Sequence, residues 1–316
     1  MDALSEILEI IKHKGVVYEK IDFSAPWGIA LPDDNNAQFW RLVKGKCIVT
    51  IPGESMIEMK EGDTVLVPNG AAHWIADSAD SKRIPSSEFL KARDSGNHLF
   101  SGAGEKTIMI GGHFAFEDKP GHPFLKDLPK VIHINNLEPG VNSWLRMTCD
   151  LIFNELDQEQ PGSRKIINSL ADAIFIHIIR AYLKQSGDGG GFLSALNDER
   201  ISSVLKMMQY APEKNWTIEQ LSRHAGMSRS SFCIAFKKLV GETPLEYLTN
   251  WRMMKAKEIL AQGNEKISEV ALKVGYQSEA AFSRIFKLKV NQTPSFVNRK
   301  KSLCIRQCHD FLCHLL

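Results

Sequence analysis

The sequence carries one pattern twice, AGMSRSSFCIAFK at residues 225–237 and VGYQSEAAFSRIFK at residues 274–287. Phe232, Phe236 and Lys237 return as Phe282, Phe286 and Lys287. Ser228 returns as Ser278, and Thr243-Pro244 as Thr293-Pro294. An internal repeat fixes architecture before any other signal is read. Two copies are too few to stack as a solenoid, and they predict two small helical units joined by a helix.

Each copy reads as helix-turn-helix. Thr217 with Gln220 forms a capping box for a short helix through about His224. Ala225-Gly226-Met227 is the turn, and Ser228 caps a second helix with Phe232, Ala235, Phe236 and Leu239 on one face. In the second copy Ile267, Val270, Ala271 and Val274 form the apolar face, Gly275 the turn and Ser278 the cap. Thr243 and Pro244 open a long joining helix through Leu260, which Gly263 ends. Where the first copy has Gly241 before Glu-Thr-Pro, the second has Asn291 before Gln-Thr-Pro. Asn is the next most tolerant residue in left-handed geometry, so the turn is expected to survive.

These residues resemble the AraC/XylS family of bacterial transcription regulators. The likeness runs in order through AGMSRSSFCIAFKKLVGETPLEYLTNWRMMKAKEIL and ISEVALKVGYQSEAAFSRIFK to Thr293-Pro294. It implies two recognition helices about 34 Å apart in successive major grooves of double-stranded DNA, with RNA polymerase as a partner and activation as the usual output. With the phenylalanines turned inward, Arg229, Ser230, Cys233, Ile234 and Lys237 point outward on the first recognition helix. The resemblance makes Ser230, Cys233 and Ile234 its base-facing set, suited to thymine-methyl contact rather than bidentate readout of guanine. On the second helix Glu279, Ala280, Ser283 and Arg284 face out, and Arg284 is the candidate for guanine or phosphate. Lys237, Lys238, Lys287 and Lys289 are expected to position the phosphate backbone.

Charge agrees with this division. The net charge is +2 overall, made of −5 over residues 1–145, −2 over 146–198 and +9 over 199–316. A basic C-terminal part suits a polyanion, or a merely solvated face; the repeat favours DNA. A chain of 316 residues can hold two or three domains. With no apolar run of eighteen residues and no basic-then-apolar leader, no membrane partner is expected and the cytoplasm is the expected location. Six scattered cysteines make reduced thiols the default.

Ahead of the repeat, residues 1–13 have helical spacing through Leu4, Ile7, Leu8 and Ile11. Short β runs follow at Phe39–Val43, Cys47–Ile51, Thr64–Val67 and Thr107–Ile110, as in a sandwich or small barrel. The segment Gly62-Asp63-Thr64-Val65-Leu66-Val67-Pro68-Asn69-Gly70-Ala71-Ala72-His73 resembles the second half of the cupin signature. Where a cupin metal site would draw ligands from the first half, this chain reads Phe39-Trp40-Arg41-Leu42-Val43. A catalytic site keeps three protein ligands, so His73 alone reads as structural or pocket-lining, with no metal and no cofactor expected. Trp27, Trp40, His73 and His113 are candidates to line a ligand pocket, or simply to form core. Met109-Ile110-Gly111-Gly112-His113-Phe114-Ala115-Phe116 and Leu128-Pro129 extend the likeness to AraC-family sensors of the RclR kind, which implies a response to reactive chlorine through cysteines. Cys47 is the one cysteine of this part, so it is the redox candidate but cannot form an intradomain disulfide.

Residues 143–158 and 163–185 predict two helices divided by Pro161-Gly162. The second has an apolar face (Ile166, Ile167, Leu170, Ala173, Ile174, Ile178, Ala181) wide enough for packing on the sheet domain or for a homodimer seam, and His177 lies on it. Gln185–Gly191 reads as a flexible linker. Beyond Asn298, Cys304, Cys308, Cys313, His309 and His314 match no zinc spacing. The expected fold is multidomain. A cupin-like β-barrel sensor spans 1–140, a helical connector 141–191, an all-α DNA-binding domain 192–300 and a tail 301–316. The function expected is sequence-specific transcription regulation, probed by a small-molecule or oxidant effector. The alternative is a cupin metalloenzyme, a dioxygenase or isomerase, with a DNA-binding appendage.

Overall fold

In a computed structural model, the structure describes residues 2–11, 13–34, 36–116, 122–135, 143–158, 160–185, 191–263 and 265–298. The Cys- and His-containing tail and most of the expected linker lie outside the described residues. The chain opens with α1 (Ala3–Ile11), followed by β1 (His13–Ser24), β2 (Gly28–Leu31), β3 (Ala37–Lys44), β4 (Cys47–Thr50), β5 (Ile57–Met59), β6 (Thr64–Val67), β7 (His73–Ala76) and β8 (Ile84–Pro85). Then come α2 (Ser86–Asp94), β9 (Lys106–Phe116), α3 (Pro123–Lys126), β10 (Ile132–Ile134), α4 (Ser143–Gln158) and α5 (Ser163–Gln185). The remainder is helical: α6 (Gly191–Asn197), α7 (Glu199–Tyr210), α8 (Ile218–His224), α9 (Arg229–Val240), α10 (Pro244–Gln262), α11 (Ile267–Lys273) and α12 (Glu279–Val290).

The strands form two five-stranded sheets, ordered β1-β9-β3-β6-β10 and β5-β4-β7-β2-β8. The expected barrel is therefore corrected to two separate sheets, since among the described residues no strand of one pairs with a strand of the other. Each sheet turns an apolar face to one shared core that includes Phe23, Trp27, Trp40, Leu42, Val49, Val65 and Met109. The opposite face of the first sheet is also apolar. Phe39 stacks on Phe114 at 5.0 Å, and Phe114 meets Phe175 of α5 at 5.1 Å. Gly15 permits the close approach of that helix, because a Cβ there would come within 2.7 Å of Ala171. The Gly15 amide donates to Asp172 Oδ1 at 2.6 Å. Helices α4 and α5 pack on each other and on β1. The expected connector is thus the cover of the sheet.

Contacts divide the chain into two units. One holds the described residues of Lys12–Lys119 and Phe124–Asp188. The other holds those of Met1–Ile11, Pro120–Pro123 and Gly189–Leu316. These units differ from the boundaries read from the sequence. Helix α1, assigned there to the sensor, packs against α7 and α10 in the helical unit. Its Ile7 and Ile11 are fully buried, and Glu6 pairs with Lys255 at 3.7 Å.

Candidate DNA interface and sensor core

Helices α9 and α12, the two expected to read DNA, are built by the same local chemistry. Ser228 caps α9 by accepting from the Ser231 amide at 3.2 Å, and Ser278 caps α12 by accepting from the Ala281 amide at 3.4 Å. Phe232, Phe236, Phe282 and Phe286 are completely buried. Both helices end in left-handed residues, Gly241 at φ 82° and Asn291 at φ 57°, so the substitution in the second copy keeps the turn. Thr217 and Gln220 form the reciprocal capping box of α8.

Burial then repeats position by position. Ser230 and Ala280 are exposed, Cys233 and Ser283 half-buried, Ile234 and Arg284 exposed, and Lys237 and Lys287 exposed. Glu279 and Lys238 are also open to solvent. Ile234 is 70% exposed, a large apolar side chain with nothing to gain from water. Its chemistry is that expected of a side chain that would meet a thymine methyl. Arg229 is exposed but engaged, since its guanidinium pairs with Glu219 of α8, which also holds Arg223 at 3.2 Å. Glu219 carries no sequence signal for this pairing, because an acidic first turn is common and spacing alone does not join it to a residue ten positions on.

In the sheet unit, Trp27, Trp40 and His73 are all buried in the inner core. Trp27 Nε1 donates to Thr107 Oγ1 at 3.3 Å. Trp40 Nε1 donates to His73 Nε2 at 3.1 Å, and His73 Nδ1 donates to the Ala71 carbonyl at 2.8 Å. His73 is therefore a neutral imidazole protonated on Nδ1, and burial holds its pKa below the ordinary value. Both nitrogens are committed, and β3 presents Phe39, Trp40 and Arg41 where further ligands would stand, so the donor set does not fit a cupin metal. Among the described residues no group of three His, Cys, Asp or Glu comes together for a metal ion. His113 is half-buried on β9, with its pKa also lowered by burial.

Cys47 is buried on β4, and burial, aided by the charge of Asp63, pushes its thiol up to about 12. The thiolate is the oxidisable form, so this environment suppresses the chemistry expected of a sensor cysteine. A cleft of about 500 Å³ lies elsewhere in the same unit, lined by Phe23, Phe89, Arg93, His98, Lys20 and Lys106 among others. None of Trp27, Trp40, His73 and His113 lines it. Phe23, Phe89 and Phe100 form an aromatic cluster at its side, with centroids 5.3 Å apart for Phe23–Phe89 and 5.2 Å for Phe23–Phe100. Helix α2, which carries Phe89, has no fully buried residue and gave no strong periodicity in the sequence, so this cleft was not legible there.

Comparison with known proteins decides the family. The family described as Cupin matches residues 2–184, and the family described as Helix-turn-helix domain matches residues 221–300. The HTH-type transcriptional regulator AlkR of Acinetobacter baylyi is 31% identical over 93% of this chain and 98% of its own length. The chain belongs to the AraC-type transcription regulators with an N-terminal cupin domain. The RCS-specific HTH-type transcriptional activator RclR of Escherichia coli is 24% identical over 93% of this AraC-type chain and 96% of its own. Among solved structures, ToxT of Vibrio cholerae is similar over 90% of this regulator and 96% of its own chain, with a TM-score of 0.34 and 13% identity. Among the described residues one helix, α5, is long and apolar enough to cross a membrane by length and composition; here it packs on β1, β10 and α4.

Proposed function

We propose that this AraC-type regulator reads a bipartite operator with α9 and α12 in successive major grooves, acts in the cytoplasm as an activator of RNA polymerase, and is controlled by a signal received in its cupin domain. The position-by-position recurrence of exposure on α9 and α12 carries the reading, because each helix turns its phenylalanines inward and leaves an equivalent row for DNA. A small molecule is the better signal. Cys47 is buried with a suppressed thiolate, whereas the cleft beside Phe89 is lined by apolar side chains together with Lys20, Asp22, Arg93 and Lys106. The α5 face expected as a homodimer seam is largely buried, with Ile167, Ile174, Ile178 and Ala181 inside, so a homodimer would instead use Trp144, Met147 and Leu151 of α4 with Ile166 of α5, which are open. The metalloenzyme alternative has against it the commitment of both His73 nitrogens.

The test is fluorescence anisotropy of the full chain on DNA from upstream of its own gene and its neighbours, at fixed salt, before and after mild hypochlorite. Specific binding unchanged by hypochlorite in both the parent and Cys47→Ser is the expected outcome. Binding that responds to oxidant in the parent and not in Cys47→Ser would overturn the small-molecule reading. Affinity equal on operator and random DNA would overturn sequence-specific regulation altogether.

A further inference from the structure

The two helix-turn-helix motifs share α10, and the side chain that ties them together comes from its middle. Arg252 Nε donates to the Pro212 carbonyl at 2.6 Å, and Nη2 donates to the Lys214 carbonyl at 2.9 Å. Both carbonyls belong to the segment that leads from α7 into α8, the start of the first motif. The same guanidinium stands 5.7 Å from the centre of the Tyr276 ring. Tyr276 lies in the turn of the second motif and meets Phe282 of α12 edge-on at 5.8 Å. The junction is tight on its other side too. Gly275 sits at φ 88°, where a Cβ would fall 2.7 Å from the Glu213 carbonyl and 2.9 Å from Arg252 Nη2.

A planar fork with donors on two sides suits this place. It holds two carbonyls of one motif while standing beside the Tyr276 side chain of the other. We propose that Arg252 is a specificity-determining positioning residue, which fixes the separation and phase of α9 and α12 and thereby the spacing of half-motifs that the protein accepts. It touches no base in this role. Two reading helices on one frame act as linked binders. The second adds affinity only when the frame holds it at the right distance, and the gain is lost when the linkage loosens or the spacing is wrong.

The inference rests on α9 and α12 being the reading helices, and the experiment keeps the two ideas apart. The full chain first selects a duplex from a random-sequence pool. Three duplexes are then compared: the selected one, one with a single half-motif scrambled, and one with a base pair inserted between the half-motifs. Arg252→Leu should bind the selected duplex at least about tenfold more weakly, bind the scrambled duplex within about twofold of the parent, and suffer a smaller penalty from the inserted base pair. The same factor lost on all three duplexes, or unchanged binding to the first, would overturn the proposal. So would a salt slope reduced by about 1, which is the mark of a phosphate contact. Arg252→Lys keeps the charge but not the fork. It is read by the same three ratios, so a folding defect in the leucine variant leaves the question decidable. Ile234→Glu binding the selected duplex like the parent would instead overturn the placement of α9 in DNA.

Discussion

At the residue scale, the exposed rows of α9 and α12 differ in chemistry although they match in position. Ser230, Cys233 and Ile234 offer small and apolar groups, whereas Arg284, the counterpart of Ile234, can grip guanine with two hydrogen bonds. Arg284→Ala is expected to cost about 1–3 kcal/mol of binding and to relax specificity at one operator position. Binding to a panel of single-base operator variants checks this, and an equal loss on every sequence would reassign Arg284 to phosphate. Arg229 belongs to a different category from its neighbours. Its pairing with Glu219 means that any phosphate it met would compete with a carboxylate already in place.

At the scale of the element, each recognition helix is held by two phenylalanines rather than by propensity. α9 contains Cys, Ile, Phe and Val, none of them strong helix formers. Phe232 meets Phe236 at 5.6 Å, and Phe236 meets Tyr247 of α10 at 6.0 Å. Truncating a fully buried phenylalanine removes apolar surface and leaves a cavity, so Phe232→Ala is expected to destabilise the helical unit by about 3–5 kcal/mol. Chemical denaturation followed by circular dichroism measures it. A near-neutral shift would mean that the side chain is not in the core.

These helices were legible because caps, turns and apolar period agree in both copies. Thr217, Ser228, Gly241, Thr243 and Gly263 all stand where the structure starts or stops an element. The sensor was less legible. The strands and the turn ahead of His73 could be read, but the alternation that reveals a buried face is the same for a barrel and for paired sheets. Whether Trp27 and Trp40 line a void or fill one depends on residues far away in sequence, such as Thr107. Arg252 gave no signal for a related reason: its partners are backbone carbonyls, which every sequence possesses.

At the scale of the whole molecule, the cupin unit gathers histidines that are kept neutral. His73, His113 and His177 all have pKa values lowered, first by burial, from an ordinary 6.5. The unfolded chain takes up protons at these sites before the folded one does. Stability is therefore fully present above about pH 6.5 and falls as pH drops below it. Thermal melting of the full chain between pH 8 and pH 5 should show a midpoint that is flat at the upper end and declines at the lower. The decline should be shallower in His73→Gln. A midpoint constant down to pH 5 would show that these imidazoles are not held neutral.

The placement of α1 bears on how this protein is made and on which pieces can be exchanged. Helix α1 packs on α7 and α10, from which the whole sheet unit separates it in sequence. Joining such distant segments adds little to the equilibrium cost, because loop-closure entropy grows only with the logarithm of length. It does slow folding, since the remote contact must be found before it rewards the chain. The helical core thus closes only after the intervening sheet unit has been made. It also means that sensor and reader are not interchangeable cassettes. A chimera that grafts residues from 192 onward behind another sensor discards Ile7 and Ile11 and opens the side of the reader they fill.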